Sequence, residues 1–154
     1  MQVKELGHLV LYVRDLEVSG RFYRDVLGWQ PIFDAGEESR FPAMAFNSSS
    51  HRTHHELLLI EVGQNAAPIS PGRRVGLYHF GLKIGETDDE LREALERLRE
   101  HHVKIVGATD HGMTHSLYIE DPDGNEIELY IDVQGVDWND PTLWTTPTMR
   151  PLSL

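Results

Sequence analysis

The sequence predicts an α+β fold in which two βαβββ modules pair into one pseudo-twofold domain, with a curled mixed sheet around a cavity. Strand-like and helix-like stretches alternate in a fixed order, and this order occurs twice. Two histidines stand at matching positions near the two beginnings, His8 in GHLVLYV and His79 in YHFGLKI, 71 residues apart (79 − 8). The same shift moves the first helical stretch onto the second, so a repeated unit accounts for most of the chain.

The first module begins with an alternating run over residues 7–13, which is typical of a half-buried strand. Asp15 is placed to cap a helix over roughly 15–27, which Gly28 ends. Further strands are expected at 29–34, 43–47 and 55–62, separated by the polar loops GEESR (36–40) and NSSSHRTH (47–54).

The second module repeats this order after a Gly/Pro/Ser-rich linker at 63–75. Thr87 and Glu90 form a T-x-x-E capping box at the start of its helix. The other expected elements are strands at 78–84, 103–106, 115–120 and 126–132, a helix at 86–98, and a DPDG hairpin turn at 121–124. Two short units rarely fold alone, so modules of about 5–63 and 76–133 should share one domain over 1–136. A Trp/Pro-rich tail with no helix or strand pattern follows at 137–154.

The composition restricts the classes of function. With 14 Lys+Arg against 25 Asp+Glu, the 154-residue chain has a formal net charge of −11. This argues against nucleic acid and against an anionic membrane as partners. The absence of cysteine excludes disulfides, thiolate metal sites and cysteine nucleophiles. The start of the chain has no signal-peptide pattern and no apolar run is long enough to span a bilayer, so we expect a cytoplasmic protein.

Strand alternation puts three candidate metal ligands on one face. In the first, fifth and last strands the alternating apolar residues face the core, which leaves His8, His79 and Glu128 on the face turned away from the helices. Two imidazoles and one carboxylate leave open positions on a divalent ion, the arrangement used by non-haem Fe(II) oxygenases. We therefore expect a divalent metal at these residues, with Fe(II) first and Mn, Ni and Zn as the other candidates.

The strand at 55–62 has no clear alternation, because residues 57–60 are all apolar. The 71-residue shift pairs Leu57 with Glu128 and so predicts His55 on the Glu128 face and Glu56 on the helix side. A slip of one residue in register would reverse the two.

These residues resemble the vicinal oxygen chelate superfamily, which includes glyoxalase I, extradiol dioxygenases and fosfomycin-resistance transferases, over about residues 5–132. GHLVLYVRDLEVSGRFYRDVLGW is similar to the opening βα unit of that superfamily, and DPDGNEIELY to its closing hairpin. The resemblance implies the same three metal ligands, a small-molecule substrate and a homodimer.

Two segments are more similar to extradiol, catechol-type dioxygenases, which implies ring cleavage with O₂. HHELLLIEV resembles the strand whose second histidine, here His55, is the acid/base acting on substrate protons. TDHGMTHSLYIEDPDGNEIELY resembles their closing segment, which implies that Tyr118 hydrogen-bonds a substrate oxygen and that His111 lines the pocket. Many extradiol enzymes carry two such domains in one chain, whereas this chain has one.

Two other functions are open at this point. A glyoxalase-like isomerase or lyase with Ni or Zn would need a fourth protein ligand, which only Glu56 is placed to supply. A metal-free small-molecule-binding protein, similar to bleomycin-resistance relatives, is disfavoured by the complete triad. Whether His55 or Glu56 faces the cavity therefore separates oxygen chemistry from isomerisation.

Overall fold

The computed structural model describes residues 1–35, 40–145 and 149–154. Loop residues 36–39 and tail residues 146–148 lie outside the described residues. The chain forms two compact units, Met1–Ile69 and Ser70–Leu154, whose boundary falls in the Gly/Pro/Ser-rich segment. Each unit contains strand, helix and three strands in the expected order, so the α+β class and the two βαβββ modules are confirmed. None of the described helices is long and apolar enough to cross a bilayer.

The first unit is a four-stranded mixed sheet with one helix. The helix α1 (Leu16–Arg21) continues into a π-helical segment, Phe22–Val26. The strands are β1 (Leu9–Val13), β2 (Gln30–Asp34), β3 (Ala43–Asn47) and β4 (Leu57–Glu61), in the order β1-β4-β3-β2. β1 and β4 are parallel, and the other neighbours are antiparallel.

Two carboxylates fix the start of α1. Asp15 is the N-cap and accepts a hydrogen bond from the backbone N–H of Val18 at 2.9 Å, as the sequence predicted. Glu61, at the end of β4, accepts one from the backbone N–H of Leu16 at 2.8 Å and so ties the helix to the sheet. Gly20 allows the helix to lie close to the sheet, because a Cβ there would be 2.6 Å from the sulfur of Met44.

The second unit is a five-stranded mixed sheet with one long helix, α2 (Asp88–Glu100). Its strands are β5 (His79–Gly85), β6 (Ile105–Asp110), β7 (Thr114–Glu120), β8 (Glu126–Asp132) and β9 (Arg150–Pro151), in the order β5-β8-β7-β6-β9. β5 and β8 are parallel. The tail was expected to lack regular structure, but it contains a short helix, α3 (Thr142–Thr145), and β9.

The predicted alternation is confirmed in β1 and β8, which carry candidate ligands. In β1, Leu11 and Val13 are buried while Tyr12 is 70% exposed. In β8, the alternating residues Ile127, Leu129 and Ile131 are buried, and the residues between them are half-buried. Each of these strands therefore has one buried apolar face and a more exposed face opposite.

The prediction for β4 was wrong by one residue. Leu9 of β1 pairs with Leu57, whereas Phe80 of β5 pairs with Ile127, so the last strands of the two modules are shifted by 70 residues (127 − 57) rather than 71. Leu57 is accordingly buried in the core, with 1% of its surface exposed, and does not share the Glu128 face. Since paired residues in parallel strands share a face, Glu56 corresponds to Glu126, and the predicted register that put His55 on the Glu128 face and Glu56 on the helix side was wrong.

The capping box of α2 is confirmed. The Thr87 hydroxyl accepts from the backbone N–H of Glu90 at 3.4 Å, and the Glu90 carboxylate accepts from the backbone N–H of Thr87 at 3.0 Å. We expect Thr87→Ala to lower the free energy of unfolding by about 1 kcal/mol, because the backbone N–H of Glu90 loses its hydroxyl acceptor. Urea unfolding measures the change. A shift no larger than that of Ser153→Ala, at an exposed position, would contradict it.

Candidate functional site

Four predicted site residues lie close together in the second unit. Glu128 of β8 has Gly81 of β5 on one side and Tyr118 of β7 on the other. His79 lies two residues before Gly81 and so points to the same face of the sheet. His111 follows β6 and reaches the Tyr118 hydroxyl. The pairing of β5, β8 and β7 is therefore what brings the imidazole, the carboxylate and the phenol to one place.

The His79 ring lies between two carboxylates. Its Nε2 is 3.3 Å from Oε2 of Glu128, and its Nδ1 is 3.4 Å from Oε1 of Glu126. No described residue makes a hydrogen bond with the buried Nδ1, although the Glu126 oxygen is the neighbouring acceptor. Sequence reasoning gave Glu126 no role, and the structure places it where it can orient the His79 ring.

One oxygen of the Glu128 carboxylate accepts the hydrogen bonds that hold the side chain, and the other oxygen is left to bind a metal ion. Oε1 accepts hydrogen bonds from the Ser116 hydroxyl at 2.7 Å and the Tyr118 hydroxyl at 3.0 Å. Oε2 faces His79. Ser116 is fully buried, with 0% of its surface exposed, and sequence reasoning gave it no role. Its position two residues before Tyr118, on the same strand face, is the signal that could have identified it.

Tyr118 is a hydrogen-bond donor at neutral pH. Its hydroxyl makes a 2.8 Å hydrogen bond with Nε2 of His111, and its ring contacts His79 edge-on, with centroids 5.6 Å apart. Burial, followed by the charge of Glu128 and the hydrogen bond to it, raises the pKa of Tyr118 well above its usual value of 10. The phenol therefore keeps its proton in the range where most enzymes work.

The other two predicted residues, His8 and His55, are neighbours in the first unit. The backbone N–H of Leu9 donates to the carbonyl of Glu56 at 2.9 Å, and this bond brings the preceding residues together. The centroids of the His8 and His55 rings are 4.5 Å apart. His54, which sequence reasoning left without a role, has its Nδ1 2.6 Å from Nδ1 of His55.

His55 favours the neutral form. Desolvation by burial is the first cause that lowers the pKa of His55 below its usual value of 6.5, and the nearby His54 and His8 rings lower it further. A neutral imidazole of this kind can accept a proton near pH 7.

The Glu56 carboxylate is engaged within its own loop. Only 8% of Glu56 is exposed. Its oxygens accept from the Ser48 backbone N–H at 2.9 Å, the Ser48 hydroxyl at 2.6 Å, the Ser50 hydroxyl at 3.1 Å and Nε of Arg52 at 3.1 Å. Burial raises the pKa of Glu56, but these hydrogen bonds together outweigh it and leave the pKa below its usual value of 4.5. The carboxylate is thus charged at neutral pH and has both oxygens occupied.

This network makes the stability of the protein depend on pH. At pH 7 we expect Glu56→Gln to lower the free energy of unfolding by about 2 kcal/mol, because hydrogen bonds to a charged acceptor are lost. The pKa of Glu56 is lowered by folding, so its stabilisation is complete above the unfolded value near 4.5 and disappears as the pH falls through the lower folded value. Urea unfolding of both proteins should show a gap that closes below pH 4.5, and a gap of constant size down to pH 3 would contradict the assignment.

The predicted metal ligands are divided between the two units, with His8 in the first and His79 and Glu128 in the second. In the described parts of the chain, no group of three or more His, Asp or Glu side chains is arranged to hold a metal ion. The pair in the second unit does fit two ligand positions. Its donor atoms are 3.3 Å apart, close to the separation of about 3 Å between adjacent ligands that lie about 2.1 Å from an octahedral ion. The complete triad stays a prediction.

Residues 5–129 match a family model described as the Glyoxalase/Bleomycin resistance protein/Dioxygenase superfamily. The chain is 34% identical over 133 residues to catechol-2,3-dioxygenase of Bacillus subtilis, which covers 86% of this chain but 43% of that protein. It is 30% identical over 151 residues to biphenyl-2,3-diol 1,2-dioxygenase 3 of Rhodococcus globerulus, covering 95% of this chain and 75% of that protein. It is also 28% identical over 127 residues to a lactoylglutathione lyase of Salmonella typhimurium, covering 80% and 90% of the two chains.

Solved structures share the fold. A glyoxylase/bleomycin resistance protein/dioxygenase domain from Frankia sp. EAN1pec superposes with a TM-score of 0.70 at 20% identity, covering 85% of this chain and 99% of that one. The fosfomycin resistance protein FosX from Listeria monocytogenes, in a structure described as complexed with Mn(II) and sulfate, gives a TM-score of 0.64 at 19% identity, with coverage of 86% and 96%.

Proposed function

Because the chain belongs to the glyoxalase/bleomycin resistance protein/dioxygenase superfamily, we propose that it is a metal-dependent, extradiol-type ring-cleaving dioxygenase acting on a small catecholic substrate. The proposed cofactor is Fe(II), held by His8, His79 and Glu128. When bound, the ion would supply open coordination positions for the substrate and O₂. The proposal includes the pairing of the two modules into one domain over residues 1–136. It also includes a homodimer, and sedimentation velocity tests this oligomeric state.

The observation that carries the proposal is the contrast between His55 and Glu56. A dioxygenase of this type needs an acid/base beside the metal ligands, and the centroid of the His55 imidazole lies 4.5 Å from that of His8. A glyoxalase-like isomerase needs the Glu56 carboxylate as a fourth ligand, but both oxygens of Glu56 accept hydrogen bonds from residues 48–52. The local chemistry therefore favours oxygen chemistry over isomerisation.

The side chains take distinct parts in the proposed reaction. A ring nitrogen of His55 accepts the proton of a substrate hydroxyl and later returns it to the ring-opened product. On substrate binding the Tyr118 hydroxyl turns its single proton from Glu128 to the substrate oxygen on which negative charge develops, while the Ser116 hydroxyl continues to donate to Glu128. Ser116 keeps Glu128 in place through its 2.7 Å hydrogen bond. His111, at 2.8 Å from the Tyr118 hydroxyl, lines the pocket and keeps that hydroxyl oriented.

A glyoxalase-like lyase with Ni or Zn is the second candidate, and one observation favours it. The observed register makes Glu56 the counterpart of Glu126, on the face that carries Glu128. For Glu56 to serve as a ligand, however, its carboxylate would have to leave Ser48, Ser50 and Arg52. A metal-free binding protein is disfavoured because His79 and Glu128 already present two donor atoms at a ligand-like separation.

Anaerobic purification followed by metal analysis and an oxygen-uptake assay tests the proposal. We expect bound iron and, with catechol or biphenyl-2,3-diol, O₂ uptake that matches the appearance of a coloured ring-cleavage product. Removing the metal with a chelator should abolish uptake, and added Fe(II) should restore it. Bound nickel or zinc, together with turnover of lactoylglutathione and no O₂ uptake, would instead establish the lyase.

A further inference from the structure

We propose that Glu56 is a positioning residue for His55, because its carboxylate organises the loop of residues 48–55 and so fixes His55 beside His8. This loop, called here the histidine loop, joins β3 to β4 and carries His51, His54 and His55. The inference rests on the proposed function, since it concerns the acid/base of the same reaction.

The backbone of Glu56 joins three segments. Its N–H donates to the carbonyl of Phe46 in β3 at 2.9 Å, and its carbonyl accepts from the N–H of Leu9 in β1 at 2.9 Å. His55 and His8 immediately precede Glu56 and Leu9. The two backbone hydrogen bonds of Glu56 therefore fix the end of the histidine loop against β3 and bring the His55 and His8 imidazoles close together.

The side chain of Glu56 points back into the loop and accepts hydrogen bonds from several of its residues. Oε2 accepts from both the backbone N–H and the hydroxyl of Ser48, and Oε1 accepts from the Ser50 hydroxyl and from Arg52. Arg52 also forms an ion pair with Oε1 through its terminal nitrogen at 3.1 Å. Because the donors are spread over residues 48–52, one carboxylate constrains most of the segment that leads to His55.

Two other anchors of the histidine loop do not involve a carboxylate. The Asn47 side chain donates to the carbonyl of Thr53 at 3.2 Å, and Nε2 of His51 makes a 2.7 Å hydrogen bond with Gln30. His51 also has a positive φ of 46°, a backbone conformation that needs outside support. Glu56 supplies the charged hydrogen bonds at this site, which are roughly twice as strong as neutral ones.

Replacing Glu56 should therefore change the rate and spare the metal. In Glu56→Gln an amide NH₂ group replaces one acceptor and faces donors of Ser48 or Ser50, so the loop loosens. We expect kcat to fall about 10-fold while KM and metal content stay within about 2-fold, because small displacements of an acid/base are costly and ground-state contacts are retained. Arg52→Ala, at an exposed residue that does not threaten folding, should lower kcat about 3-fold.

Glu61→Gln is the matched control. Glu61 lies on the same strand and also accepts a backbone hydrogen bond, from Leu16, but at the helix end of β4. It should lower the melting temperature without changing kcat. A loss of kcat in Glu61→Gln equal to that in Glu56→Gln would assign both effects to general destabilisation and overturn the inference.

Two further outcomes would overturn the inference. Lower metal affinity in Glu56→Gln would make Glu56 a ligand, and unchanged kcat in folded Glu56→Gln and Arg52→Ala would leave it no positioning role. NMR of the histidine side chains distinguishes failure of the positioning inference from failure of the proposed function. If the wild-type protein cleaves no catechol, the proposed function fails, but altered His54 and His55 ring signals in Glu56→Gln still support positioning, whereas unchanged signals contradict it.

Discussion

Glu128→Gln is expected to lower the affinity for divalent metal about 100-fold or more and to abolish oxygen uptake. The substitution removes the charge of the only carboxylate in the proposed ligand set, and the amide cannot both accept from Ser116 and Tyr118 and present an oxygen towards His79. Metal analysis and isothermal titration with Mn(II), which avoids oxidation, measure the affinity, and the oxygen electrode measures the activity.

Two companion variants make this result specific. Ser116→Ala keeps the ligand but removes one of its supports, so we expect metal affinity to fall about 10-fold. Glu120→Gln replaces a carboxylate at the end of β7 that pairs with Lys104 at 2.8 Å, and it should leave metal affinity unchanged. A Glu128→Gln protein that retains its metal would remove Glu128 from the ligand set.

His55→Ala is expected to lower kcat by about 100-fold to 1,000-fold, with a small change in KM and none in metal content. A positioned acid/base contributes a rate factor of about this size, and its loss affects the transition state more than substrate binding. Steady-state oxygen uptake over a range of catechol concentrations gives both constants. Added imidazole should restore part of the rate, because a small base can enter the space that the ring vacates.

His101→Ala is the control for this second prediction. His101 ends α2 at an exposed position, and its removal should leave kcat unchanged. If His55→Ala retained full kcat, the acid/base assignment would be wrong. If it lost activity only together with its metal, His55 would belong to the metal site instead.

Local signals in the sequence predicted most of the fold. Asp15 and Thr87 mark the starts of α1 and α2 because capping depends on neighbours within three residues. The register of β4 could not be predicted, because residues 57–60 are apolar on both faces and one extra residue in the first module breaks the repeat. β9 could not be predicted either, since a two-residue strand exists only through its pairing with β6.

The candidate site also has a part that the sequence predicts and a part that it does not. Alternation on adjacent strands is enough to bring His79 to Glu128, so sequence reasoning reached that pair. The parts of Ser116 and Glu56 depend on hydrogen bonds across a sheet and a loop, which the identities of the residues do not encode. The choice of metal is not readable from two imidazoles and a carboxylate, because iron, manganese, nickel and zinc all accept these ligands.

The short strand β9 has a consequence for how the molecule behaves in solution. It pairs with Thr109 and Asp110, and Leu152 continues the contact by donating to the carbonyl of Ala108 at 3.2 Å. The outermost strand of the five-stranded sheet therefore contains Pro151, which has no backbone N–H to offer another chain. A proline at this edge discourages edge-to-edge aggregation, so deleting the last residues should expose β6 and promote self-association at high concentration.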